Sequence, residues 1–345
     1  MKRFLPALLA ATVLVGLPAA AQDLTYNATT PLMMPKDVYF GEADGVATNS
    51  KGEIFLYQAS GQPTASLGGS RTFAHSGAQI LVFDASGKYV RQIGNKLYGF
   101  LVPAAVRIDS QDNIWAVDAY SGMVMKFDPS GSRIVMLLGR KPESIDVPEP
   151  PPRAPRGGAL PGAGAQQDLF DAPSDVAWDA AGNIFIADGT GNNTRIAKFT
   201  PDGVFIKSWG SKGSDNDKFA GVSSLQVDAD GNVYAADPGN HRIQVFDNNG
   251  TYKSTISGVG DPWALCLTKG AHPYLFASDS NPQDNLDKGG TIYKLELSGT
   301  VVGKFGHAGK KIGDFGTVNE IDCRNPSVLY VGEKGNYRVQ KVSLR

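Results

Sequence analysis

Apolar and small or polar residues alternate along most of this chain, and the alternation comes in packets of five to seven residues. The period of two predicts β-strands. The packets recur in a fixed order. An opening strand is followed by a Gly/Asn turn, an aromatic-rich strand ending in an acid, and a third strand that often begins with Arg. Segments 172–210 and 220–258 are the clearest copies. The central apolar residues of the opening strands align as Val46, Val106, Val176, Leu225, Leu265 and Ile321. The second strands are GEIFLYQ (52–58), DNIWAVD (112–118), GNIFIAD (182–188), GNVYAAD (231–237), PYLFASD (273–279) and SVLYVGE (327–333). Asp-x-x-Gly turns such as 84–87 and 128–131 lead from third strands to fourth.

Six such units predict an all-β, six-bladed β-propeller of four-stranded antiparallel blades. The sixth unit ends after three strands at Arg345. Its outer strand must come from the other end of the chain, and DVYFG (37–41) is the segment expected to close the ring. Residues 22–36 then form a leader and 37–345 a single propeller. Insertions are expected near 60–77, 140–171 and 281–289. The second contains VPEPPPRAPRGGALPGAG, whose prolines cannot pair within a central strand.

Residues 1–21 stand outside the pattern. Lys2 and Arg3 precede an apolar run, and Ala19-Ala20-Ala21 offers a small-residue cleavage site, as in a secretory signal. The run is shorter than the ~20 residues needed to span a bilayer. Export to the periplasm or medium is expected, with no membrane span. Lys and Arg total 33 against 34 Asp and Glu, which gives no basic face for nucleic acid. The only cysteines are Cys266 and Cys323, one and two positions beyond the aligned residues of neighbouring units. A disulfide is open to an exported protein. Their opposite parity, however, directs them to opposite blade faces, so two buried free thiols are expected.

The acids that end second strands (Asp118, Asp188, Asp237, Asp279, Glu333) and the Arg residues that begin third strands (Arg195, Arg242, Arg338) recur blade by blade. They are expected to be structural. Positions that break the repeat are more informative. One residue before the aligned position stand Gly45, Ala105, Asp175, Ser224, Ala264 and Glu320. Asp175 and Glu320 are three blades apart and should face each other across the axis, where carboxylates suit a structural Ca²⁺. The four histidines fall in four different contexts and give no zinc spacing. His241 is expected to be structural. Arg71 and His75 lie in the first insertion and could reach a ligand. No Gly-x-Ser-x-Gly elbow is present.

These repeats resemble NHL-repeat propellers. LVPAAVRIDSQDNIWAVDAYSGMVMKFDPSG, LLGRKPES and the 172–210 repeat resemble, more specifically, the catalytic domain of peptidyl-α-hydroxyglycine α-amidating lyase. The resemblance implies three zinc-binding histidines at the openings of alternate blades, and here those positions hold Ala104, Ser223 and Asn319. The family's catalytic tyrosine falls on Thr190, and its two arginines fall on Gln58 and Pro238. Only its calcium-site acid keeps a counterpart, Glu320. The expected function is therefore a peptide- or protein-binding scaffold without amidating activity. The alternative is a lyase or hydrolase of altered chemistry, with or without a divalent metal, acting on a small-molecule substrate in a funnel lined by Gln58, Tyr120, Thr190, Trp263 and Asn319. In that case Asp175 or Glu320 would serve as base or metal ligand.

Overall fold

Each opening strand pairs antiparallel with the second strand of its own unit, in the register the repeat predicts. Val46 lies opposite Leu56, Val106 opposite Ala116, Val176 opposite Ile186, Leu225 opposite Ala235, Leu265 opposite Ala277 and Ile321 opposite Val331. In the computed structural model, which describes residues 21–60, 64–67, 71–74, 77–139, 169–280, 285 and 287–345, this pairing continues outward into six blades of a propeller. Inner strands run from Glu42–Thr48, Pro103–Ile108, Asp175–Trp178, Leu225–Val227, Pro262–Leu267 and Val318–Asn325. The signal segment, most of the 140–171 insertion and His75 lie outside the described residues. Among those described, no helix is long and apolar enough to cross a membrane.

The core is divided into six hydrophobic clusters, one in each gap between neighbouring blades. This follows from the strand period. Both faces of a blade are covered by other blades, so both parities must be apolar in the middle strands. Phe55, Tyr57 and Phe100 meet Ile114 and Phe127 between blades 1 and 2, for example, all buried. At the turns, backbone geometry selects the residue. Gly87 has φ +86°, and a Cβ there would stand 1.9 Å from the Pro31 carbonyl oxygen.

An N-terminal strand does close the last blade, but it is Tyr26–Thr29 rather than 37–41. It pairs antiparallel with Arg338–Leu344 at the outer edge. Residues 22–36 are thus not a loose leader, and Gln22–Asp23 adds a parallel strand to blade 5. The segment 37–41 is not a strand, and Asp37 at its start takes φ +67°. Val38 and Phe40 instead pack into the gap between blades 6 and 1. Within the first insertion, Thr64–Leu67 and Arg71–Ala74 form a two-stranded hairpin.

Cys266 and Cys323 form a disulfide, with Cα atoms 5.9 Å apart. The expectation of free thiols fails for a geometric reason. Blades of a propeller stack face to face, so residues on opposite faces of adjacent blades are the ones that meet. Opposite parity is therefore the condition for contact between neighbours. The bond closes a loop with a sequence separation of 57 residues. The double variant Cys266→Ala/Cys323→Ala is expected to lose about 2–4 kcal/mol of stability in urea titrations.

A buried ion cluster on the propeller axis

An inner strand has no neighbour on its axial side. In an antiparallel pair every second residue turns its N–H and C=O away from the partner strand, and here those groups face the axis. They need partners there. Side chains supply them, mostly from the preceding blade. Glu320 of blade 6 accepts the amides of Val46 at 2.8 Å and Val106 at 3.1 Å. Asp175 of blade 3 accepts its neighbour Val176 at 2.8 Å and Leu225 of blade 4 at 2.9 Å. The Ser224 hydroxyl accepts Leu265 of blade 5 at 3.2 Å. One layer further along, Asp322 accepts Thr48 N–H at 2.8 Å, and Gln226 accepts Leu267 N–H at 3.2 Å.

Asp175 and Glu320 do converge on the axis as expected, each with its side chain 1% exposed. Between them lies a residue the repeat analysis passed over, Arg107. Its Nε and Nη2 donate to Asp175 at 2.9 and 2.7 Å, and Nε stands 3.0 Å from Glu320 Oε1. Nη2 also reaches the Ser224 hydroxyl at 3.2 Å. Burial pushes the Glu320 carboxyl up, Arg107 draws it down and Asp175 raises it again, with a net shift to about 8. Burial alone would lower the Arg107 pKa, but the two carboxylates outweigh it and hold the guanidinium charged. A signal for Arg107 was present. It stands one position after the aligned residue, on the same strand parity as Asp175 and Glu320, and the same row contains Gln226 and Asp322.

At the end of the axis where the inner strands begin, the three positions implied as zinc ligands also come together. Asn319 Nδ2 donates to the Asp44 carbonyl and, at 2.9 Å, to the Ala104 carbonyl. Asn319 Oδ1 accepts the Trp263 indole N–H at 3.1 Å, and the Ser223 hydroxyl donates to the Trp263 carbonyl at 2.7 Å. This donor set does not suit Zn²⁺: an amide, a hydroxyl and a methyl replace three imidazoles, and the polar ones already link neighbouring blades. Nor do Asp175 and Glu320 present the oxygen cage that Ca²⁺ takes, because a guanidinium lies between them. Among the described residues no cluster of three or more His, Cys, Asp or Glu is placed to hold a metal.

The other candidates are dispersed. Gln58 is fully buried and does the work of the strand-ending acids in blade 1, accepting Gly41 N–H at 3.0 Å. The acids themselves are structural. Asp188, Asp237 and Glu333 pair with Arg195, Arg242 and Arg338 at 2.9, 3.0 and 2.8 Å. Each also accepts an amide from the loop entering its blade. Thr190 is exposed and donates to the Ala172 carbonyl at 2.7 Å. Arg71 lies on the insertion hairpin. His241 contacts Asp261 in an exposed turn. A further pair escaped the sequence analysis: Asp44, buried near Asn319, is 2.7 Å from Lys334 Nζ. Burial raises the Asp44 carboxyl to about 7 against the pull of Lys334.

This same end carries four tyrosines at least half exposed: Tyr39, Tyr98, Tyr120 and Tyr337. All lie in connections from an outer strand to the next inner strand, or from a second strand to a third, which place them on one face of the ring.

Removing the axial cation would leave two buried carboxylates facing each other. Arg107→Met is expected to cost about 3–5 kcal/mol at pH 8. Because the folded-state pKa of Glu320 is raised above its unfolded value, its contribution is complete below about 4.5 and is lost as pH rises through about 8. Wild-type thermal melts should therefore fall as pH is raised from 5 to 9, and the loss on Arg107→Met, which raises the Glu320 carboxyl further, should be larger at pH 9 than at pH 5. Equal losses at both pH values would contradict this electrostatic account.

Comparison with known proteins places this geometry. An NHL repeat matches residues 219–246. The chain is 28% identical over 323 residues to peptidyl-glycine alpha-amidating monooxygenase A of Xenopus laevis, covering 88% of this chain but 32% of that protein. It is 30% identical over 216 residues to the probable peptidyl-alpha-hydroxyglycine alpha-amidating lyase pgal-1 of Caenorhabditis elegans, covering 60% of this chain and 55% of that one. It thus spans only about a third to about half of these relatives. A streptogramin B lyase structure superposes with TM-score 0.56 at 13% identity, over 93% of this chain and 98% of that one, a likeness of fold alone. The chain is a six-bladed β-propeller with an NHL-repeat match at residues 219–246 and sequence similarity to the amidating lyases.

Proposed function

We propose that this propeller is an exported scaffold that binds a peptide or another protein through its tyrosine-bearing face, and that it does not catalyse amidation. The observation that carries this reading is the use made of Ser223 and Asn319. Their side chains join Trp263 of blade 5 to blades 4 and 6, and Asn319 reaches on to Ala104 of blade 2, where a lyase of this family would hold zinc. Tyrosine supports the binding half of the proposal, because it offers large amphipathic contact area at low entropic cost and is enriched at protein interfaces. Export is supported by the Cys266–Cys323 disulfide, since such bonds persist in oxidising compartments.

The enzymatic alternative draws on one observation, the buried Asp44–Lys334 pair beside the same mouth. A carboxyl raised to about 7 is poised for general acid–base work. Asp44 is fully buried, however, so the scaffold reading is preferred.

In the same reading, Arg107 takes the place of a structural Ca²⁺. The melting temperature is then expected to be the same in EDTA as in millimolar Ca²⁺, and a drop of several degrees on chelation would overturn this point. For the function itself, the full chain with added Zn²⁺ should not turn over a peptidyl-α-hydroxyglycine. Crosslinking in the native exported fraction should capture a partner that a Tyr39→Ser/Tyr120→Ser/Tyr337→Ser variant loses while keeping its melting temperature. Turnover abolished by Asp44→Asn in a folded protein would instead establish the enzyme.

A further inference from the structure

The axis opens at its other end, where the inner strands finish, into a funnel of about 450 Å³ to which all six blades contribute. This is within the range of small-molecule sites. Arg107 belongs to its lining, with Trp178, Leu267 and the Cys266–Cys323 disulfide as apolar surface and Lys269 and Arg324 toward the turns.

The hydrogen-bonding state of this lining is one-sided. Its acids are engaged by the protein. Asp179 accepts the amide of Asn183 and the side chains of Asn183 and Asn248. Asp228 accepts the amides of Asp230 and Asn232, the Asn232 side chain and the Tyr234 hydroxyl. Asp322 accepts Thr48 N–H, the Thr48 hydroxyl and Arg324 N–H. The donors are not all engaged. Arg324 Nε is buried with no acceptor, and its Nη2 makes one long bond of 3.3 Å to the Ile108 carbonyl. Arg107 donates through Nε and Nη2, while Nη1 has no acceptor among the described residues. A buried guanidinium donor without a partner is rare and costly in a native fold. A ligand that supplies acceptors would relieve it.

We propose that this funnel binds a small organic anion, a flat apolar body bearing a carboxylate or phosphate, with the anionic group on the Arg107 and Arg324 guanidinium groups and the body against Trp178. Guanidinium suits both oxyanions through charge-assisted, paired hydrogen bonds. The site lies on the opposite face from the tyrosines, so it stands or falls independently of the protein-binding reading.

Four probes with a common phenyl ring test it by calorimetry on the full chain: benzoate, phenyl phosphate, benzamide and benzamidine. At least one anion should bind about tenfold or more tightly than benzamide, and benzamidine should bind least. Whichever of benzoate and phenyl phosphate binds more tightly identifies the oxyanion. Arg324→Gln should weaken the preferred anion by about tenfold or more. Lys269→Gln, a change at an exposed side chain, should weaken it by a smaller factor. The proposal is overturned if neither anion binds at millimolar concentration. It is also overturned if benzamide or benzamidine binds as tightly as the anions, or if a folded Arg324→Gln protein keeps wild-type affinity.

Discussion

Six inner strands bring to one axis main-chain groups that their own blades leave unpaired, and those groups need partners there. That requirement organises the centre of the molecule. Acceptors are provided by side chains that reach from one blade to the next: Glu320 to Val46 and Val106, Asp175 to Leu225, Ser224 to Leu265, Asp322 to Thr48. Three of these acceptors are carboxyl groups, and two of them, Glu320 and Asp175, face each other and would repel when both are ionised. Arg107 resolves the conflict by standing between them. The cluster holds blades 2, 3, 4 and 6 to a common centre, while the disulfide ties blade 5 to blade 6 and the Tyr26–Thr29 strand closes the circle at the rim.

On the reading proposed above, the same arrangement lets a lyase-like scaffold persist without lyase chemistry. A propeller needs its axis filled and its inner edges satisfied, and does not require that a metal do it. Here an arginine neutralises the axial acids, and an asparagine and a serine bridge blades at the mouth. These polar groups find their partners within the protein. They leave the tyrosine face as the feature best suited to a partner, and the far end of the axis as an open funnel with unengaged donors.

Much of this was legible in the chain. Register was legible because the Gly/Asn turns and the strand-ending acids recur at similar offsets from the aligned residues Val46 to Ile321. The structural role of Asp188, Asp237 and Glu333 was legible because it recurs. What was missed depends on contacts between units rather than within them. Tyr26–Thr29 alternates half-buried and exposed residues over only four positions, too few to outweigh the more apolar 37–41. The cysteines were judged by parity within a blade, although their contact lies across a gap. Arg107 was not legible from the positions that break the repeat, because it stands one row further along the same strands than Asp175 and Glu320.

The claim that an internal guanidinium, rather than a metal ion, holds the axis together is tested most directly by a crystal structure grown in millimolar CaCl₂, with anomalous differences inspected at the centre of the ring. The account predicts planar guanidinium density between Asp175 and Glu320 and no anomalous peak. A spherical peak with six or more oxygen ligands at about 2.3–2.6 Å, with Arg107 turned away into the funnel, would contradict it.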